Sequence, residues 1–294
     1  MKFNTLLLLT LVIVATCSCK EKDLPQITPD NQRILSKEFR KYWYASSAEI
    51  NSYQLTQERY GNIHRGEAVL IFVTENFLND IQVKADNKSE DNVPVLKLNS
   101  TKSFNTGIYP YSVMQSTFYP VKTISPGLKV TSSVQEWCGQ TYTQLNNRSS
   151  FQIESHSYFQ GEADQMISLD KSVLENSIWT QIRINPEELL VGDFQAIPDF
   201  SYLQMYHKSM KSYQVKATIT TDSLSHYTMT YPELRRQITI DFIPSMPFEI
   251  VGWTETQLDK NLSTTAKRTA VMQLPYWQLN KPKDVIYRDS LKLK

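Results

Sequence analysis

The chain has 294 residues, 31 Lys+Arg against 30 Asp+Glu, and 40% hydrophobic residues. That is enough apolar surface for a core, and it excludes collagenous, low-complexity and strongly charged disordered chains. The near-zero net charge lacks the electrostatic footprint of a dedicated nucleic-acid binder, so no nucleic-acid partner is expected.

Lys2 is followed by the apolar run Leu6–Ala15, broken only by Thr10. The run is too short to span a bilayer as a mature helix and fits the core of a secretory signal. It ends in Ala15-Thr16-Cys17-Ser18-Cys19-Lys20, which resembles a bacterial lipoprotein processing site. Cys19, preceded by the small Ser18, is the expected acylated residue, with Cys17 as the alternative. An ordinary cleaved signal with incidental cysteines is the competing reading. The expected organisation is a signal peptide over 1–18, a flexible tether over 19–33 and one β-rich domain over 34–294. With Cys19 acylated, Cys138 is the one thiol left, so the domain must be held by its core.

Leu35, Phe39, Tyr42 and Trp43 share a helical face behind Ser36, a good cap, so a short helix is expected to open the domain, although Tyr42-Trp43-Tyr44 is equally good strand material. A strand over 50–58, with Tyr53 and Leu55 inward, should form a hairpin across Tyr60–Gly66. Ala68–Val73 is unbroken apolar sequence and reads as a central strand covered on both sides. Phe151, Ile153 and Tyr158 or Phe159 suggest another strand. Asp170 is expected to cap a helix carrying Val173, Leu174, Ile178 and Ile182. That helix must stop by Asn185, because Pro186 disfavours helix before it. Asn185-Pro186-Glu187-Glu188 reads as a cap, a first-turn Pro and two acids of a helix ending at Gly192. Strict alternation then returns at Tyr213, Val215, Ala217 and Ile219. It recurs at Tyr227, Met229 and Tyr231, and at Ile238, Ile240 and Phe242. Strands with one wet face belong to antiparallel sheets. The fold class expected is mainly β: an antiparallel curved sheet, like a half-barrel or open barrel, with a short central helical insertion. The 16 Tyr residues suit half-buried pleats, ring packed and hydroxyl wet.

Little in the chain carries chemistry. Cys138, in Gln135-Glu136-Trp137-Cys138-Gly139-Gln140, is the weak catalytic candidate, since a nucleophilic Cys needs a His to take its proton. Four His residues are available, at 64, 156, 207 and 226, and none is placed beside it by spacing. A buried small residue next to Trp137 is the favoured reading. The His residues show no zinc-site spacing, so no metal is expected. His156 with Glu162 and Asp164 could cluster around Gly161, although a solvated turn is favoured. Asp86–Asn92 lacks calcium-loop spacing and reads as a polar loop. Phosphate-loop, dinucleotide and nucleophile-elbow motifs are missing, and no cofactor is expected. Asp222-Ser223-Leu224 and Asp289-Ser290-Leu291 match a short O-glycosylation pattern at a level close to chance.

Glu67–Glu75, Thr106–Ser112, Gln135–Leu145 and Trp179–Pro186 resemble an uncharacterised family of Bacteroidetes lipoproteins. The Glu136-Trp137-Cys138-Gly139 block is the most specific of these stretches. Members often carry a label as Maf-type septum formation inhibitors, which would imply a nucleotide pyrophosphatase of doubly layered α/β fold. The Maf motif Ser-x-Ser-Pro-Arg-Arg is not matched here, since Ser125-Pro126 is followed by Gly127-Leu128, and no catalytic residue is carried over. The resemblance and the signal together imply an outer-membrane lipoprotein, facing periplasm or surface and acylated as such proteins are. The function expected is a non-enzymatic envelope protein whose curved sheet binds an apolar ligand or a partner protein. A Cys138-dependent hydrolase or transferase is the alternative.

Overall fold

A computed structural model describes residues 32–294 of the chain. Helix α1 (Lys37–Trp43) opens it, capped as expected by the Ser36 hydroxyl, which accepts from the Phe39 amide. Six strands follow: β1 (Ala48–Arg59), β2 (Asn62–Leu78), β3 (Val83–Lys84), β4 (Val93–Thr106), β5 (Tyr109–Pro120) and β6 (Lys129–Glu136). Then come β7 (Gly139–Asn147), β8 (Phe151–Ser157), β9 (Gln165–Leu169) and β10 (Val173–Leu174). A helical stretch holds α2 (Glu175–Ile184), β11 (Gly192–Ile197) and α3 (Phe200–Met205). The rest is β12 (Tyr213–Thr221), β13 (Ser225–Tyr231), β14 (Arg236–Phe242), β15 (Ile250–Gln257), β16 (Leu262–Leu274) and α4 (Ile286–Ser290).

All the strands belong to one sheet, mainly β as expected. Sequence neighbours pair antiparallel, with β3 a short side-pairing on β2, and β16 returns to pair with β1. The exception is β10, which lies parallel to β11 and forms one edge, while β9 forms the other. Leu169 ends β9 and Val173 begins β10, so those ends are within about 14 Å of each other. The sheet is therefore strongly curved, an up-and-down barrel left open along one seam. β2 lies near the middle of the strand order, and Ala68, Leu70, Phe72 and Val73 are buried there.

Alternation decides which face each strand turns inward. Tyr53 and Leu55 on β1, and the inward sets of β12, β13 and β14, are buried as the period-two pattern requires. Ile219, the last of its series, is exposed near the end of β12. Many Tyr hydroxyls are not wet. Tyr53 donates to the Ile250 carbonyl at 2.8 Å and Tyr227 to that of Leu190 at 2.7 Å, both from fully packed rings.

The helical stretch fills the concavity. α2 touches both arms of the sheet: Asn176 donates to Gln115 of β5 at 2.7 Å, and Trp179 sits 5.2 Å from Trp253 of β15. α3 is buried over its whole length, with Gln204 accepting from Ser132 of β6 at 2.7 Å. Two expectations are corrected here. The helix begins at Glu175 rather than after Asp170, because Val173 and Leu174 pair with Ala196 and Ile197 instead. Pro186–Glu188 makes a single tight turn ending at Leu189, not a helix reaching Gly192. The Asn185 cap is as expected, its side chain accepting from the Glu187 amide.

The hairpin after β1 is also tighter than expected. Tyr60 and Gly61 both have positive φ, at 54° and 74°, the backbone of a two-residue turn, so β2 resumes at Asn62.

Candidate functional site

The interior is charged as well as apolar. Arg183 of α2 holds Glu49 of β1 through its Nη1 and Nη2 at 2.5 and 2.6 Å, and both side chains are fully buried. Arg236 of β14 grips Glu175 at 2.6 and 2.7 Å and Glu255 at 2.7 Å. Asp199 accepts from Gln115 and Asn176, each at 2.9 Å, while capping α3. These groups tie the helices to both arms of the sheet. The cavity beside them measures about 30 Å³, with Glu175, Asp199, Arg236 and Trp253 in its wall. It has room for one or two waters, far below the ~300 Å³ of a small-molecule site. Trp253 packs on Trp179 of α2, and the Arg183 guanidinium of α2 lies over the Phe72 ring.

The exposed feature is at one end of the sheet. Successive turns of a meander alternate between its two ends, so the β1–β2, β4–β5, β6–β7 and β8–β9 connections share an end. They present Tyr60, Ile108, Trp137 and Tyr158, which are 58%, 85%, 68% and 70% exposed. The rings here form two runs, one from His207 to Tyr158 and one from Trp137 to Tyr60. His207 lies 4.7 Å from Phe159, and Phe159 lies 5.8 Å from Tyr158. Tyr158 covers Gly139 so closely that a Cβ there would stand 2.8 Å from its ring. Trp137 is 6.4 Å from Tyr109, Tyr109 is 6.0 Å from Tyr111, and the Tyr111 and Tyr60 hydroxyls are 2.7 Å apart. The chain enters at the opposite end. There Arg33, the last residue of the expected tether, binds the Pro120 and Thr123 carbonyls at 2.9 Å and the Glu188 carboxylate at 2.6 Å.

Cys138 belongs to this aromatic end, and its expected burial is corrected: it is exposed at the tip of the β6–β7 turn. Register explains the difference. β6 and β7 pair up to Glu136 and Gly139, leaving Trp137 and Cys138 as the two turn residues. The Glu136 carboxylate accepts from the Cys138 amide at 2.8 Å. Its hydrogen bond with the thiol and its charge push the Cys138 pKa up, which disfavours the thiolate a nucleophile needs. The histidines are engaged elsewhere. His64 contacts the Arg59 carbonyl at 3.2 Å, and His156 contacts Glu154 at 3.1 Å and Asp164 at 3.4 Å. His207 contacts Glu162 at 2.6 Å, and His226 contacts Asp241 at 2.7 Å. So His156 and Asp164 do meet on the surface, but Glu162 turns to His207.

Among the described residues there is no cluster of three or more metal-ligating side chains and no helix long and apolar enough to cross a membrane. Cys17 and Cys19 lie outside the described residues. Asp222-Ser223-Leu224 occupies the exposed β12–β13 turn, whereas Leu291 of the second such triplet is buried.

No family model and no curated protein matches this chain. Among solved structures it is similar to a β-barrel-like protein of Domain of Unknown Function DUF1849 from Brucella abortus. The identity is 8%, over 77% of this chain and 98% of that one, with a TM-score of 0.48. The single, mainly antiparallel sheet differs from the doubly layered α/β fold that the Maf label implies.

Proposed function

We propose that this is a non-enzymatic, lipid-anchored envelope protein that binds an apolar ligand or a partner protein at the aromatic end of its sheet. The observation that carries the reading is the exposed series Tyr60, Ile108, Trp137 and Tyr158, set at the end opposite the chain's point of entry. Exposed apolar groups gathered in adjoining turns cost solubility and commonly mark an interaction surface. Trp and Tyr also give large contact area at small entropic cost. A tether attached at the far end would present this surface away from the lipid. The raised Cys138 pKa argues against thiol catalysis, although the exposure of that residue keeps it part of the same surface.

Anchoring has a direct test. Cys19→Ser should move the protein from the membrane fraction to the soluble envelope fraction, because stable anchoring requires the acyl chains carried by that residue. Retention of Cys19→Ser with release of Cys17→Ser would transfer the anchor to Cys17. Retention of both single variants and of the double variant would end the lipoprotein reading.

A further inference from the structure

Asp222-Ser223-Leu224 and Asp289-Ser290-Leu291 both match the short O-glycosylation pattern. So short a pattern recurs by chance, and accessibility has to separate an acceptor from a coincidence. A transferase that reads the triplet must reach all three side chains at once. It also needs a protruding segment, because a bulky glycan fits only at the surface.

The first triplet meets both conditions. Thr221 and Ser225 pair across β12 and β13, so Asp222, Ser223 and Leu224 make up the whole hairpin loop. Ser223 is the middle residue of that loop and is exposed. Asp222 shapes the loop as an Asx turn: its Oδ1 accepts from the Leu224 amide at 2.9 Å and from the Ser223 hydroxyl at 3.2 Å. The Asp222 amide in turn donates to the Leu224 carbonyl at 2.9 Å. The Asp222 side chain is still 74% exposed, and Leu224 is only half-buried. His226 braces the loop against β14, contacting Asp222 at 3.5 Å and Asp241 at 2.7 Å.

The second triplet fails. Asp289 and Ser290 end α4, and Leu291 closes it with 6% exposure. The Leu291 carbonyl accepts from the Ser52 hydroxyl of β1, and the Lys294 amide donates to Glu67 of β2 at 3.0 Å. Presenting Leu291 to an enzyme would require α4 to leave the sheet.

The meander also fixes where the first triplet lies. β16 pairs antiparallel with β1, so the β15–β16 turn shares the aromatic end, and alternation puts the β12–β13 turn at the other end. A glycan on that turn leaves the aromatic end uncovered.

We propose that Ser223 is an O-glycosylation site that accepts an oligosaccharide from a lipid-linked diphosphate donor. In the transfer the Ser223 Oγ bonds to the anomeric carbon of the sugar as the bond from that carbon to the phosphate oxygen breaks. The lipid diphosphate leaves with the electron pair, and the hydroxyl proton passes to a base of the transferase. The proposal rests on the chain being exported to the envelope.

The test uses protein isolated from envelopes of the bacterium that encodes it. Its tryptic peptides are sequenced by mass spectrometry with fragmentation that keeps glycans attached. Peptide 217–235 should carry a sugar mass on Ser223, and Ser290 should be bare. The sugar mass should vanish in Ser223→Ala and persist in Ser223→Thr, which keeps a hydroxyl. Asp222→Asn, which can still form the turn, should lose it as well, because the carboxylate is part of the pattern read. An unmodified 217–235 peptide from a chain that has lost residues 1–18 would overturn the site and leave the export reading standing. A sugar mass that persists in Ser223→Ala would also overturn it. A chain that retains residues 1–18 would overturn the export reading, and the site with it.

Discussion

Arg236→Met is expected to destabilise the protein by about 3–5 kcal/mol, and at physiological temperature to reduce the folded population severely. The side chain is fully buried between Glu175, which opens α2, and Glu255 on β15. Its guanidinium supplies three charge-assisted hydrogen bonds, two to Glu175 and one to Glu255. A methionine fills similar volume but leaves two carboxylates facing each other with no cation between them. Desolvation is then uncompensated, and the pair repels. The comparison that isolates this cause is the triple variant Arg236→Met, Glu175→Gln, Glu255→Gln. Urea denaturation should show it recovering a substantial part of the loss, since neutral amides remove the unpaired charges. A triple variant no more stable than Arg236→Met would assign the loss to packing alone.

Arg183→Met is expected to cost a similar 3–5 kcal/mol near neutral pH, with a pH dependence that identifies its origin. Glu49 is fully buried, and burial alone would raise its pKa. The Arg183 charge and the two hydrogen bonds from it outweigh that effect, helped by Asn51 and Tyr42, so the Glu49 pKa is lowered. A carboxyl whose folded pKa lies below its unfolded value contributes stability above the unfolded pKa. That contribution is lost as pH falls through the folded pKa. Without Arg183 the sign reverses: burial dominates, the folded pKa rises above the unfolded one, and protonation favours folding. The gap between wild type and Arg183→Met in urea should therefore be largest near pH 7 and shrink toward pH 4. A gap independent of pH would mean that Arg183 acts through its packing on Trp43 and Phe72, 5.0 and 4.7 Å from those rings.

Much of the sheet could be read from the residues because alternation is a local property. Tyr227, Met229 and Tyr231 must share a face whatever lies opposite, and Ser36 caps α1 through a contact three residues away. The parts that could not be read depend on distant partners. Glu49 and Arg183 are 134 positions apart, and in the sequence each is an ordinary surface-type charge. α3 is buried on every side, so it carries no apolar stripe to give it a helical period. Val173 and Leu174 fit the apolar face of a helix, but strand pairing with Ala196 and Ile197 takes them first. Cys138 did have a signal. Val130 and Val134 before it, and Leu145 after it, alternate on strands that meet at Trp137-Cys138, which makes that pair a turn. The candidate binding surface was the least legible of all. Tyr60, Ile108, Trp137 and Tyr158 lie in four separate turns, and only the meander brings those turns to one end.

The measurement that tests this arrangement most directly is site-specific photocrosslinking in intact envelopes. A photoreactive amino acid is placed singly at Trp137 and Tyr158, and at Ile219 and Ile286, which are exposed apolar positions outside the aromatic series. Binding at the aromatic end predicts a discrete adduct of the same mass increment from positions 137 and 158, lost when Tyr60 and Ile108 are both replaced by Ser, and none from 219 and 286. Adducts of equal yield from all four positions, or from 219 and 286 alone, would contradict it.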